Sequence, residues 1–203
     1  MPNKGLLIIL SGPSGSGKDT ILKELTKRYP NMKISISATT RPPRKNEVNG
    51  KDYYFISKTE FIQLLSKNQM LEHAEYCDNY YGTPQYQVDD WLQKGSDVLL
   101  EIEVQGGSQI KKKCPDAVSI FILPPSIDEL RRRLISRATD PMEIIEKRMS
   151  AAEGEVRSAF DYDYIVVNDS VCGCVERIYN IIQSEKMRSF RNNNLIEEVL
   201  ENV

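Results

Sequence analysis

The segment GPSGSGKDT, Gly12 to Thr20, constrains this chain more than any other. It directly follows the apolar run Leu6-Leu7-Ile8-Ile9-Leu10, and behind it Ile21, Leu22, Leu25 and Tyr29 recur at helical spacing. A buried strand, a glycine-rich turn carrying a lysine and then a helix make up the setting of a phosphate-binding loop. Gly12, Gly15 and Gly17 let successive backbone N–H groups turn inward around an anion, where a Cβ would not fit. The helix start adds unpaired donors and the positive end of its dipole. On this reading Gly12, Pro13, Ser14, Gly15, Ser16, Gly17, Lys18, Asp19 and Thr20 surround nucleotide phosphates, with Lys18 neutralising the outer ones. The plainer alternative is a strand-to-helix connector, which leaves the lysine without a purpose. Asp19 occupies the hydroxyl position of G-x-x-x-x-G-K-[ST], so Asp19 and Thr20 are the candidates to hold a magnesium ion.

The 203 residues suffice for one domain with a substantial core, together with small mobile insertions. Hydrophobic residues make up 40% and charged residues 28%, the balance of a soluble globular protein. A net charge of -2 provides no bulk attraction to nucleic acid or an anionic membrane, so any polyanionic ligand must meet local clusters of arginine and lysine. No apolar stretch approaches the roughly 20 residues of a spanning helix. The start, MPNKGLLIIL, reaches the phosphate loop too soon for a removable signal peptide, and a cytoplasmic enzyme is expected. Cys77, Cys114, Cys172 and Cys174 lack the spacing and the histidine partners of a zinc site, and His73 is the only histidine; free thiols are expected.

Further along, Ile34 to Thr40 alternates like a strand, and the stiff basic loop Arg41-Pro42-Pro43-Arg44-Lys45 follows. Asn49-Gly50 marks a turn before a strand at Asp52–Ile56, and Ser57 with Glu60 forms a capping box for the next helix. Glu72 to Pro84, rich in tyrosine and small residues, does not read as core. A helix is expected over Gln85–Lys94, ended by Gly95, and then a buried strand over Val98–Val104. Residues two apart on a strand share a face, so Glu101 and Glu103 are expected to point the same way. Val118–Leu123 and Tyr164–Val167 are further apolar strands. Short apolar strands separated by helical segments indicate a parallel sheet covered on both faces, with ligands at the carboxyl ends of the strands.

Between the last two strands lies a charged helical hairpin carrying Arg131, Arg132, Arg133, Arg137 and Arg148 but few large apolar residues. Arg131 and Arg132 read as a solvated face, and the hairpin as a mobile lid that closes over phosphates. An amphipathic helix is expected from Val175 to about Phe190, and a partly ordered tail over Arg191–Val203.

A second set of polar residues lies between Ser37 and Thr83. Arg41 and Arg44 flank two prolines that fix where both guanidinium groups point, and such planar forks suit a monophosphate. Tyr53 and Tyr81 offer phenol donors to the same group. Glu72 is suited to accept two N–H bonds from guanine, whose N1–H and 2-amino group are adjacent donors that adenine lacks.

At this point the chain closely resembles the guanylate kinases, a family of nucleoside monophosphate kinases. The likeness is carried by GPSGSGKDT, SATTRPPR (Ser37 to Arg44), GKDYYF (Gly50 to Phe55), Glu72, NYYGTP (Asn79 to Pro84), LEIEVQG (Leu100 to Gly106), the lid arginines and VVND (Val166 to Asp169). The resemblance implies an α/β fold of the P-loop NTPase type: a parallel sheet with helices on both faces, a small mixed GMP-binding domain and a helical lid. The implied boundaries are a core of 1–35, 86–125 and 158–203, a GMP-binding domain of 36–85 and a lid of 126–157. The implied reaction transfers the γ-phosphate of ATP to GMP or dGMP, with Mg²⁺, in purine nucleotide metabolism and GMP recycling. Ser37, Glu72, Thr83 and Glu103 would contact guanine, and Arg41, Arg44, Tyr53 and Tyr81 the GMP phosphate. Asn168 would lie by the ATP adenine. Lys18, Arg44, Arg137 and Arg148 would carry the transfer, with no protein nucleophile. The implied partners are these small molecules alone, with neither nucleic acid nor membrane, acting on a monomer or weak homo-oligomer.

The chain departs from the family at Asp19 for serine, Glu103 for aspartate, Thr83 for serine and Ala138 for glycine. Two competing readings are a guanylate-kinase-like protein-binding module and a kinase for another monophosphate. The first typically lacks the loop lysine and lid arginines, which are present here; Glu72 argues against the second.

Overall fold

The computed structural model describes residues 4–76, 78–136 and 141–201; Cys77, Arg137, Ala138 and Asp140 lie outside them. Strand β1 (Leu7–Ser11) is buried along its whole length. Its successive side chains point to opposite faces, and each face has its own cover. Ile8 and Leu10 pack with Ile21, Leu22 and Leu25 of α1 (Lys18–Arg28) and with Val175, Ile178 and Ile182 of α7 (Val171–Lys186). Leu7 and Ile9 pack with Val88 and Leu92 of α3 (Gln85–Gln93) and with Ile110 of α4 (Val104–Lys113). Apolar side chains on both faces are what turn the run into a central strand. Parallel partners surround it in the order β2 (Met32–Ile34), β7 (Asp97–Glu101), β1, β8 (Val118–Leu123) and β9 (Tyr164–Val167). No helix among the described residues is long and apolar enough to cross a membrane.

A second, mixed sheet has the order β4 (Tyr54–Phe55), β3 (Ala38–Thr39), β6 (Asn79–Pro84) and β5 (Met70–Tyr76). Helix α2 (Lys58–Ser66) covers it through Phe61, which is wholly buried and stacked on Tyr80. Both halves of the expected capping box are formed. Ser57 Oγ accepts the Glu60 N–H at 3.1 Å, and Glu60 Oε2 accepts the Ser57 N–H at 2.8 Å.

Several expected elements differ. The Ile34–Thr40 segment is not one strand: it leaves the first sheet at Ile34 and enters the second at Ala38. Ser35 N–H still bonds Leu99 in one sheet, while Ser37 O already accepts Tyr54 N–H of the other. Glu72–Pro84 belongs to a hairpin whose inner positions, Glu72, Gly82, Thr83 and Pro84, are buried. Polar and small residues concealed that burial from a hydrophobicity reading. Strand β7 stops at Glu101, because Glu103 is already the N-cap of α4; alternation along a strand therefore does not relate the two carboxylates. The hairpin helices α5 (Ile127–Ser136) and α6 (Met142–Arg157) do have a core of Leu130, Leu134, Ile145, Met149 and Ala152. Beyond α7, residues Asn193–Glu201 form a helix, α8, whose Leu195, Ile196, Val199 and Leu200 are exposed.

Truncating the buried ring in Phe61→Ala is expected to lower unfolding free energy by about 3–4 kcal/mol, the usual cost of emptying such a site. Denaturant titration followed by far-UV circular dichroism checks it.

Candidate active site

At the carboxyl end of β1 the chain turns through Gly15 and Gly17, whose φ values of 93° and 95° favour glycine. A Cβ on Gly17 would stand 2.5 Å from Asn168 Nδ2, and one on Gly15 would stand 2.9 Å from Leu134 of α5. The turn is therefore clamped from two sides. Asn168 Nδ2 donates to Ser16 O at 2.7 Å, and Arg133 donates to Ser16 O and Asn168 O at 3.4 and 3.0 Å. Lys18 Nζ folds back onto the carbonyls of Gly12 and Pro13 at 2.7 and 3.3 Å. Burial pulls its pKa below the usual lysine range, although Glu101, Glu155, Asp19 and Glu103 act the other way. Those four carboxyls favour the charged form of Lys18 against its burial.

That space is a cleft of about 930 Å³ that runs from the loop to the second sheet. Gly12, Ser14, Gly15, Gly17, Lys18 and Asp19 line one end, Ser37, Glu47 and Tyr53 the other, and Glu101, Glu103 and Glu155 the walls between. Thr20 is exposed and is not among the lining residues. Burial, and after it a hydrogen bond shared with the Asp19 carboxyl, push Glu101 up to about 7. Two carboxyls this close are compatible only if a proton or a cation lies between them.

Behind the far end, Glu72 is buried and accepts the Thr83 hydroxyl at 2.7 Å. Gly106 leaves room for it: a Cβ there would approach Glu72 Oε2 to 3.1 Å. Burial raises the Glu72 pKa, Thr83 opposes the rise, and Glu103 is close enough to add to it. Arg41 packs against the rings of Tyr53 and Phe55, with its guanidinium carbon 5.0 and 5.6 Å from their centroids. Tyr81 meets Tyr53 edge-on at 6.2 Å. Arg44 is exposed, and its backbone N–H donates to Glu47. Arg148 is half-buried on α6, and Arg137 lies outside the described residues. The structure thus gathers the loop, Ser37, Tyr53 and Glu103 around one cleft, with Glu72, Thr83, Arg41 and Tyr81 just behind it.

Three residues at the site escaped the sequence reading. Arg133 had a signal, because Glu129 four residues earlier pairs with it at 2.8 Å and turns it toward the loop. Glu155, which accepts a backbone bond from Ser14, had none, since α6 reaches the loop only through tertiary packing. Glu47 was hidden in a loop with no period. Arg131 and Arg132 pair with Glu146 and Glu129 at the surface, as a solvated face should.

A sequence model of the family described as guanylate kinase matches residues 4–185. The chain belongs to the guanylate kinase family. It is 50% identical over 195 residues to a guanylate kinase of Clostridioides difficile (strain 630), covering 96% of this chain and 95% of that protein. It is 51% identical over 189 residues to one of Latilactobacillus sakei, covering 93% of each. The crystal structure of guanylate kinase from Anaplasma phagocytophilum superposes with a TM-score of 0.74 at 37% identity, covering 93% of this chain and 90% of that one. The family match includes the loop, both sheets, the hairpin and most of α7, and stops before α8.

The Arg41–Glu47 pair carries a pH dependence of defined sign. Arg41, and after it the Arg44 backbone N–H, hold Glu47 down at about 2, below its ordinary 4.5. A depressed carboxylate stabilises the fold above its unfolded pKa and loses that contribution as pH falls through the folded one. The stability difference between the native chain and Glu47→Gln is expected to be constant above about pH 5 and to vanish toward pH 2. Urea titrations across that range measure it.

Proposed function

We propose that the cleft joins the two substrates of a guanylate kinase, with the phosphate loop as donor end and the second sheet as acceptor end. The chain is an ATP-dependent nucleoside monophosphate kinase that phosphorylates GMP. The observation that carries the assignment of ends is the continuity of the cleft from Lys18 to Tyr53. Phosphoryl transfer requires two anionic reactants brought in line, with cations around the moving group, and no covalent intermediate.

In this division of labour the backbone of Gly12–Thr20 and Lys18 hold the ATP phosphates. Asn168 acts on the donor end by fixing the Ser16 carbonyl, beside the adenine. Glu72, Thr83, Ser37 and Glu103 recognise guanine. Donation from N1–H and the 2-amino group favours the charged form of Glu72, opposing the rise that burial causes. Arg41, Arg44, Tyr53 and Tyr81 hold the GMP phosphate, and Lys18 with Arg44, Arg137 and Arg148 balances charge on the transferring group. Residues 36–85 form the GMP-binding domain, 126–157 the lid and the remainder the core. dGMP is an expected second acceptor, and the chain acts in the cytoplasm, as a monomer or weak homo-oligomer, with no nucleic-acid partner.

The donor set also fits magnesium. Asp19 and Glu101 present hard oxygen ligands that already need a charge between them, the chemistry Mg²⁺ prefers. Asp19 would hold the ion with Glu101, while Thr20, the other candidate from the loop, is exposed and outside the cleft lining. When bound, it neutralises charge between the outer phosphates of ATP.

Of GMP, AMP, UMP and dTMP, a coupled ADP-release assay is expected to show efficient turnover with GMP alone; equal rates with AMP would remove Glu72 from the guanine site. Asp19→Ser is expected to stay active while its activity against Mg²⁺ concentration shifts to higher values. An unmoved titration would mean that Asp19 serves only the helix start.

A further inference from the structure

Glu47 belongs to none of the phosphate- or guanine-contacting sets above, yet it organises both arginines of the acceptor end. Its Oε2 and Oε1 accept Nη1 and Nη2 of Arg41 at 2.6 and 2.7 Å. Oε2 also accepts the backbone N–H of Arg44 at 2.8 Å, and the Glu47 N–H returns a bond to Arg44 O at 3.1 Å. One carboxylate therefore fixes the guanidinium of one arginine and the backbone of the other.

The donor count shows what this leaves available. A guanidinium has five N–H groups in a planar fork. Glu47 takes one on each Nη, and Pro42 O accepts Nη1 at 3.1 Å. Arg41 is also hydrogen-bonded to the Tyr81 side chain, another group of the acceptor end; the bonds to Glu47 and Pro42 leave Nε–H and the second Nη2–H for that phenol and for a phosphate. The rings of Tyr53 and Phe55 hold the guanidinium plane, and Tyr53 lines the cleft. Glu47 thus holds Arg41 end-on, with the Tyr81 phenol beside it.

We propose that Glu47 is a positioning residue for the acceptor phosphate: it orders Arg41 before GMP arrives and sets the Arg41–Arg44 loop. The inference rests on reading Arg41 as a GMP-phosphate contact. Ordering a long side chain in the free protein removes an entropic cost from binding. The effect should fall on GMP alone, because the donor end shares none of these contacts.

The test is steady-state kinetics and equilibrium binding on the full chain with Glu47→Gln, Arg41→Ala and the double variant. Glu47→Gln is expected to raise KM for GMP about tenfold, the scale of one charge-assisted hydrogen bond, with KM for ATP and kcat within about twofold. Guanosine, which lacks the phosphate, should bind it as tightly as the native chain. Adding Glu47→Gln to Arg41→Ala should raise KM for GMP clearly less than it does in the native chain, since only its hold on the Arg44 backbone is then left to lose. An unchanged KM for GMP in Glu47→Gln overturns the proposal. So does a lowered one, which would make Glu47 a competitor of the phosphate. Guanosine binding lost in parallel with GMP binding also overturns it, leaving Glu47 as a prop of the loop fold. A native KM for GMP in Arg41→Ala refutes the reading of Arg41 itself, whereas an Arg41 effect without a Glu47 effect refutes only this proposal.

Discussion

Burial of β1 on both faces, between parallel neighbours β7 and β8, is the constraint on which the rest of this molecule depends. Parallel pairing aligns Leu10 with Glu101 and with Ile120, so the carboxyl ends of three strands finish near one level. A central strand has no edge at which to slip, and a one-residue shift would exchange its two packed faces. The glycine turn, Glu101 and the approach to α5 are consequently delivered to the same end of the sheet. The Asn168 side chain, just past β9, then ties the turn to the opposite flank.

The acceptor half depends on a different balance. Its sheet is small and mixed, and its core is narrow: Ala38, Phe61 and Met70 are buried, with tyrosines packed around them. Part of its interior is polar, namely Glu72 against Thr83. A buried carboxyl bonded by the hydroxyl and the backbone of one residue, Thr83, still has an incomplete solvation shell. Such a site lowers its free energy when further donors reach it, so on the proposed reading stability and recognition would use the same atoms.

How much of this could be read from the chain follows from where its signals originate. β8 and β9 were legible to the residue, because short β-branched and aromatic runs stopped by Pro124 and by Asp163 and Asn168 leave little choice. The loop and the Ser57–Glu60 cap were legible because their chemistry is local. The β5–β6 hairpin was not, since Glu72, His73 and Asn79 conceal its burial and its pairing is decided by contacts with β3. The division of Ile34–Thr40 between two sheets was equally hidden, because an extended segment looks the same whichever partner it pairs with. At the site, the residues proposed to meet a ligand stood out by type, whereas Arg133, Glu155 and Glu47 bond to other residues and are visible only in three dimensions.

The Arg41–Glu47 pair also bears on selectivity among small anions. A guanidinium already matched by a carboxylate has little net field to offer, so inorganic phosphate or sulfate finds only a weak, shallow attraction there. An anion that brings nothing else gains one hydrogen-bonded edge and little more. On the proposed reading, a nucleotide anchored at its base by Glu72 would bring its phosphate at high local concentration, and for it that single edge would suffice. On the role proposed for Arg41, the pair would then act as a threshold, favouring a tethered phosphate over the free ion.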